Sequence, residues 1–349
     1  MNYKLTTKQV TWLVLLGFLI MFLSSSIKGV YQAYFLELAV SFGVSRGMFA
    51  WSGAVFMLVI GVASPVVGAL SDRVGPLRTV LVGSVVGGIS MIIASILPHS
   101  FSVFVLAYGV LAAFALAAMT YVPMGVLVDR LFQEDQKGLA YAIVTNGSSI
   151  GFIVLSPLWM FLVPKFDWNM VFLVVGLIFL LPISLAMFVT SRTEVAAQPS
   201  ADAPRLGTWS SVLKDPYFYA LGLSFMSCGA TMAFVDVHLV PFWEDRHVSR
   251  SEMGLSLSTL GLLELSSGIV AGWLAGRYAK NRLLGVFYLV RTLAMVMLLL
   301  NSEILNTYVF ATIFGLSYLG TVVLTSAYCF DLYGPRIKGQ AFGRAVQFF

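Results

Sequence analysis

The sequence has few charged residues for its length. Only 11% of its 349 residues are Asp, Glu, Lys or Arg, less than half of the roughly 25% found in soluble globular domains. With 59% hydrophobic residues, the chain is neither disordered nor able to cover a soluble surface. Two cysteines exclude a disulfide scaffold, and 31 glycines without a period of three exclude a collagen-like chain. These absences leave a polytopic membrane protein.

Signals of several common chemistries are also absent from the sequence. No GxxxxGK[ST] phosphate-binding loop is present, so an ATP-driven pump is not indicated. The three histidines are far apart and the cysteines stand alone, without the spacing of metal ligands. The net charge of +5 comes with no basic stripe interleaved with aromatic residues. We therefore expect no enzyme activity, no cofactor, no metal and no nucleic-acid partner.

Ten continuous stretches are apolar enough to cross a membrane as helices, because about 20 residues span about 30 Å of hydrocarbon. We predict them at 10–35, 48–70, 77–97, 101–127, 139–164, 169–190, 217–241, 253–274, 283–300 and 307–332. Fifteen of the 21 lysines and arginines fall in loops on the N-terminal side and four on the other. This bias predicts a cytoplasmic N-terminus in the inner or plasma membrane.

The sequence also contains an internal repeat. The stretch GALSDRVGPLR at 68–78 is echoed by GWLAGRYAKNR at 272–282, an offset of 272 − 68 = 204. We predict a six-helix bundle over 1–190, a cytoplasmic linker over 191–214 and an incomplete bundle over 215–349. A complete second half would end near 190 + 204 = 394, so we expect a fragment or truncated product with ten complete helices and the start of an eleventh. Two-half chains of this kind are typical of transporters.

The stretch at 68–78 resembles the Gly-x-Leu-x-Asp-Arg-x-Gly loop signature of the major facilitator superfamily. The resemblance implies an all-α fold of two six-helix halves and secondary active transport by alternating access. It also implies a conformational latch, in which the second copy has Gly276 in place of the aspartate. We assign to this latch Gly68, Asp72, Arg73, Gly75, Arg78 and Arg277.

Within that superfamily the chain is similar to the monocarboxylate porters and the oxalate/formate antiporter-like proteins. KGLA at 137–140 with NGSSIG at 146–151, DWNMVF at 167–172 and FVDVHLVP at 234–241 carry this resemblance. It implies a monomer in the lipid bilayer that moves a small organic anion, in particular a monocarboxylate, by proton-coupled symport or exchange. One alternative is an efflux porter for drugs or lipophilic cations, since 27 Phe and 15 Met fit an adaptable apolar pocket. Another is a non-transporting membrane sensor or a truncated remnant.

Charged side chains inside the apolar segments are functional candidates, because each costs roughly 2.5–3.5 kcal/mol at a helix centre. Lys28 shares a polar stripe with Tyr31 and Gln32, and we predict that these three bind the substrate anion; snorkelling of Lys28 is the alternative. Asn146 is predicted as polar lining. Arg291 is either a second anion anchor, since its planar guanidinium can donate two hydrogen bonds to one carboxylate, or a structural residue.

Acidic residues and one histidine are candidates for proton coupling or gating. Asp236 maps by the repeat onto 236 − 204 = 32, one turn from Lys28. We hypothesise that Asp236 pairs with Lys28 in an outward-closed state, the alternative being a solvated rim carboxylate. His238 is a rim residue or a proton carrier. Glu264, in the middle of the eighth segment, is a proton-coupling carboxyl or a structural glutamate.

Overall fold

The computed structural model describes residues 6–97, 100–132, 134–192, 216–300, 307–325 and 328, without the side chains of 72, 129, 134–139, 142, 218 and 300. Within these ranges, ten helices are long and apolar enough to cross a membrane, and no strand occurs. They are α1 Thr7–Ala33, α2 Arg46–Val74, α3 Pro76–Ile96, α4 Phe101–Val128, α5 Glu134–Leu162, α6 Trp168–Thr190, α7 Pro216–Val237, α8 Arg250–Ala275, α9 Lys280–Leu300 and α10 Thr307–Thr325. The predicted all-α membrane fold is confirmed. Most of the predicted linker and the start of an eleventh helix lie outside the described residues.

The chain divides into two compact units, Met1–Pro199 and Ser200–Phe349. Helix starts recur between them at one offset: Arg46 and Arg250 begin α2 and α8 (250 − 46 = 204), and Pro76 and Lys280 begin α3 and α9 (280 − 76 = 204). The serine before α2 and the serine before α8 cap their helices alike, each accepting a hydrogen bond from the N–H three residues on. The offset found in one loop therefore extends over two helices of each unit.

α1 and α7 end at equivalent positions, Ala33 and Val237 (237 − 33 = 204), and in each case one residue, Tyr34 or His238, separates the helix from a short helix that follows. These short helices are Phe35–Ser41 and Leu239–Glu244. Pro241 explains the second break, because its ring clashes with the carbonyl four residues earlier and it has no N–H to donate. The short helix of the first unit contains no proline, so the break there has another origin. The predicted seventh segment, 217–241, ran through this break and was too long.

The turns that lead into α2 and α8 also have the same backbone. Gly43 has φ 63° and its counterpart His247 has φ 57° (247 − 43 = 204). In both turns the next N–H donates to the carbonyl five residues earlier at 3.1 Å. Glycine adopts this left-handed conformation freely, whereas histidine does so rarely. The backbone has been retained although the residue has changed.

Two glycines allow α5 to pack closely against α1. A Cβ at Gly147 would collide with the carbonyl of Phe18, and one at Gly151 would collide with the hydroxyl of Ser25. Residues 147–151 also match the Gly-x-Ser-x-Gly pattern of hydrolase nucleophiles. That nucleophile lies on a strained strand-to-helix turn, whereas here the segment lies inside one helix. The two glycines therefore serve helix packing.

Candidate substrate, coupling and latch residues

The residues of the predicted polar stripe on α1 differ in how far they are exposed. Lys28 is partly exposed, whereas Tyr31 and Gln32 are buried. Asn146, on α5, is also partly exposed and directly precedes Gly147, which packs against α1. Lys28 and Asn146 are therefore the members of the predicted substrate set in the first unit that have solvent-accessible surface.

Tyr31 belongs to an aromatic cluster inside the first unit. Its ring stacks between Tyr108 and Phe49, at centroid distances of 4.6 and 5.4 Å. Its hydroxyl lies 3.0 Å from the Ser52 hydroxyl. Such stacking adds to the stability that burial provides. The position of Tyr31 therefore has a packing explanation that needs no substrate.

Sequence reasoning missed this aromatic cluster. Tyr108 lies on a π-helical turn, Val105–Ala112, and its hydroxyl donates to the carbonyl of Ile27 at 3.3 Å. Other rings stack or tilt against this core and come from several helices: Phe35, Phe56, Phe104, Phe172. The available signal was the recurrence of aromatic residues at the same end of α1, α2, α4 and α6. Periodicity within one helix could not reveal it.

Arg291 is enclosed within the second unit. Only 2% of the residue is exposed. One terminal nitrogen donates to Cys228 Sγ at 2.6 Å, and the other donates to the carbonyls of Ser317 and Tyr318 at 2.9 and 3.0 Å. The guanidinium therefore joins α9 to α7 and α10, and its role in binding a substrate stays a prediction.

The other candidates of the second unit occupy different surroundings. Asp236 is 9% exposed and lies in the last turn of α7, whereas His238 is exposed at the break that follows. Lys28 belongs to the first unit and Asp236 to the second, so their pairing stays a prediction. The role of His238 stays one as well.

Glu264 lies on the face of α8 that packs against α10. Only 7% of it is exposed. One turn earlier, the carbonyl of Leu260 would lie 2.8 Å from a Cβ placed at Gly315. One turn later, Ser267 accepts a hydrogen bond from the Gly320 N–H at 3.1 Å. Glu264 is thus held within the packed interior of its own unit.

The first copy of the predicted latch contains an unusual backbone at Gly75. This residue has φ 94° and ψ 152°, a region that essentially only glycine occupies. Its carbonyl accepts hydrogen bonds from the N–H and the hydroxyl of Thr79. Arg130 lies in the last turn of the helical segment Tyr121–Leu131, which overlaps the end of α4. It donates to the carbonyl of Ser71 at 3.3 Å. The loop is therefore attached to α4 within the same unit.

The remaining residues of the predicted latch differ in packing and exposure. A Cβ at Gly68 would lie 3.6 Å from Val122, which is ordinary contact, so packing within the unit does not require glycine there. Arg73 and Arg78 are exposed. In the second copy Arg277 stacks on Trp273 at 3.8 Å. The side chain of Asp72 lies outside the described part of the chain.

Ten apolar helices among the described residues, a repeat at constant offset and charged residues inside the helices are typical of a transporter of the two-repeat type. The sequence model of the Major Facilitator Superfamily matches residues 13–349. The chain belongs to the Major Facilitator Superfamily. This membership confirms the predicted family and the expectation of a transporter rather than an enzyme.

The individual proteins that resemble this chain have low sequence identity to it. The chain is 27% identical to "Uncharacterized MFS-type transporter YcxA" of Bacillus subtilis, over 99% of this chain and 85% of that protein. It is 24% identical to human "Monocarboxylate transporter 12", over 80% of this chain and 59% of that protein, so it spans about three fifths of that relative. Its fold matches a bacterial homologue of the human lysosomal transporter Spinster with a TM-score of 0.76, at 16% identity over 98% of this chain and 80% of that one.

Proposed function

We propose that the protein is a secondary active transporter of small organic anions, in particular monocarboxylates, which works by alternating access in the inner or plasma membrane. The observation that carries the anion is Lys28, a partly exposed cation within α1. Similarity to monocarboxylate transporters supports the carboxylate. Inserting a lysine into a membrane helix is costly, so its retention inside α1 favours a functional role.

The other residues take roles that their surroundings support. Asn146 contributes polar lining, and Gln32 and Tyr31 support Lys28 from the interior of the unit. Asp236, beside the break in α7, is the partner of Lys28 when no substrate neutralises it, and His238 lies at the rim. Glu264 carries the coupling proton, and the loops at Gly75 and Arg277 form the latch.

Counterflow in proteoliposomes tests the anion and Lys28 together. We expect unlabelled monocarboxylate inside the vesicles to drive uptake of the labelled form by wild type, and this exchange to be about tenfold or more slower in Lys28→Ala. Lys165→Ala is the matched control, because Lys165 lies outside the membrane helices and its ammonium lies over the ring of Phe161. A chain that exchanges only lipophilic cations, equally well in Lys28→Ala, would instead be the efflux porter. A chain with no exchange of either class would be the sensor or remnant.

Comparing the two single variants with the double variant tests the proposed Lys28–Asp236 pair. We expect Lys28→Ala and Asp236→Ala each to slow exchange about tenfold or more, because each leaves a charge unpaired in a dry setting. The double variant should recover part of the rate. A double variant no faster than the slower single variant would contradict the pairing.

A further inference from the structure

Among the described residues, the second unit contains buried hydrogen-bonding atoms that lack a partner at ordinary hydrogen-bond geometry. They are Arg291 Nε, the hydroxyl of Tyr288 and the hydroxyl of Thr325, each of which is shielded from solvent. Buried polar groups nearly always have partners. Three such atoms close together therefore need an explanation.

The three atoms belong to one place in the unit. Arg291 and Tyr288 are one turn apart on α9, and the Tyr288 phenol is near enough to Cys228 and Arg291 to interact with them electrostatically. The Tyr288 and Thr325 hydroxyls are near enough to each other for a weak hydrogen bond, although its geometry falls short of an ordinary one. Cys228 of α7 also contacts the hydroxyl of Thr321 at 3.3 Å, one turn before Thr325 on α10. We call the group of Arg291, Tyr288, Thr325 and Cys228 the Arg291 site.

No described residue compensates the full positive charge of the Arg291 site. The two carbonyls and the thiol that Arg291 contacts supply only partial negative charge. Among the described residues, no carboxylate forms an ion pair with it. A guanidinium stays protonated in proteins, and burying it without a counter-charge is strongly unfavourable. The rings of Phe314 and Tyr318, at 5.1 and 5.8 Å, offset only part of this.

We propose that the Arg291 site binds a small monovalent anion, with the chemistry of chloride or of a carboxylate group. The guanidinium Nε can only donate, and the two hydroxyls can rotate so that they donate as well. An anion would accept all three hydrogen bonds and neutralise the charge, whereas a water molecule would leave the charge uncompensated. If the anion is the carboxylate of the transported molecule, the site rests on the proposed function. If it is chloride, the site is independent of that function.

Thermal unfolding of the purified chain tests this site. Sodium isethionate, a bulky sulfonate without a carboxylate, is replaced at constant ionic strength by chloride, bromide, formate or acetate. We expect the wild-type midpoint to rise with the logarithm of the bound anion's concentration, as ligand linkage requires. Tyr288→Phe and Thr325→Val should each require about tenfold more anion for the same rise, because each removes one donor.

The two hydroxyl variants distinguish a binding role from a structural one. In isethionate they should unfold close to the wild-type temperature, since each removes a buried hydroxyl that lacks a hydrogen bond of ordinary geometry. They carry the test because Arg291→Gln can fail to fold. Thr292→Val and Tyr278→Phe are matched controls, because both side chains are exposed and the Thr292 hydroxyl bonds to its own helix. These controls should keep the full anion dependence.

Each outcome decides the proposal. Stabilisation that is weakened in Tyr288→Phe and Thr325→Val supports the site. Stabilisation by the halides alone identifies a halide site, stabilisation by formate and acetate alone identifies a carboxylate site, and stabilisation by both identifies a site that accepts either anion. No anion dependence, or a dependence that both variants retain, overturns it. Counterflow separates this result from the proposed function: Lys28-dependent exchange without anion stabilisation removes only the Arg291 site. Halide stabilisation without any exchange removes only the proposed function.

Discussion

The two units place their bulky side chains on opposite helices of the same contact. In the first unit α3 carries Gly83, and a Cβ there would lie 2.7 Å from Met119 and 3.0 Å from the carbonyl of Ala115, both on α4. In the second unit the equivalent residue of α9 is Phe287 (83 + 204 = 287), whose ring fills the space over Gly320 on α10. A helix contact thus requires sizes that complement each other, and either helix can supply the larger residue.

The same exchange explains how the second unit accommodates a charged residue. Arg291 stands where the first unit has Gly87 (87 + 204 = 291), whose added Cβ would lie 3.3 Å from Ala115. Close helix packing at Gly87 leaves no space for a long side chain. At Arg291 the facing carbonyls of α10 are available to the guanidinium. The difference between the units is therefore chemical as well as steric.

The largest expected effect comes from removing the small residue in the first unit. Gly83→Ala should lower the free energy of unfolding by about 2–3 kcal/mol, because the new methyl group meets backbone atoms that cannot rotate away. Thermal unfolding of the purified chain measures it. Gly285→Ala on α9 is the matched control, since nothing lies within 4 Å of its Cβ position, and it should be neutral or slightly stabilising. Equal losses in both would refute the steric explanation.

The corresponding contact in the second unit can be tested by compensation. Gly320→Ala should destabilise because its methyl group collides with the ring of Phe287, and adding Phe287→Leu should restore part of the loss. We expect a coupling free energy of about 1–2 kcal/mol from the double-mutant cycle. Additive losses would show that the two residues do not share the contact.

The loops between paired helices should differ in their need for glycine. Gly75→Ala should cost about 1–2 kcal/mol, because φ 94° is strained for any side chain. Its counterpart Ala279 (75 + 204 = 279) does not have a positive φ, so Ala279→Gly should change the stability by less than about 1 kcal/mol. Chemical or thermal unfolding compares the two directly. A tolerant Gly75 would imply that its loop can relax.

The smallest expected effect has the opposite sign. His247→Gly should stabilise the chain by about 0.5–1 kcal/mol, because glycine adopts the left-handed turn without strain. Gly43→Ala, at the equivalent turn, should destabilise it by about the same amount, although nothing lies within 4 Å of its Cβ position. A shift of the unfolding midpoint in the same direction for both variants would show that backbone strain is not the cause.

Sequence reasoning found the spans and the repeat, because both depend on patterns along the chain. Hydropathy located ten helices to within a few residues, and one echoed loop supplied the offset that three helices of each unit share. The side-chain environments required the packing of several helices. Nothing near Tyr31 in the sequence shows that Phe49 and Tyr108 enclose its ring. Arg291 looked like an anion anchor or a structural residue, and only its contacts with α7 and α10 show what surrounds it.

The matched turns at Gly43 and His247 also have an evolutionary meaning. A duplicated segment that kept only its residues would be recognisable by identity, but here the residue differs and the left-handed backbone persists. At this pair of turns, the backbone φ angle and the hydrogen bond are the same in both units although the amino acid is not. A residue other than glycine at such a site costs about 1 kcal/mol of backbone strain, and a cost of this size is small enough for the substitution to be tolerated. Internal symmetry that has faded from a sequence can thus be recovered by comparing the backbone of a protein with itself.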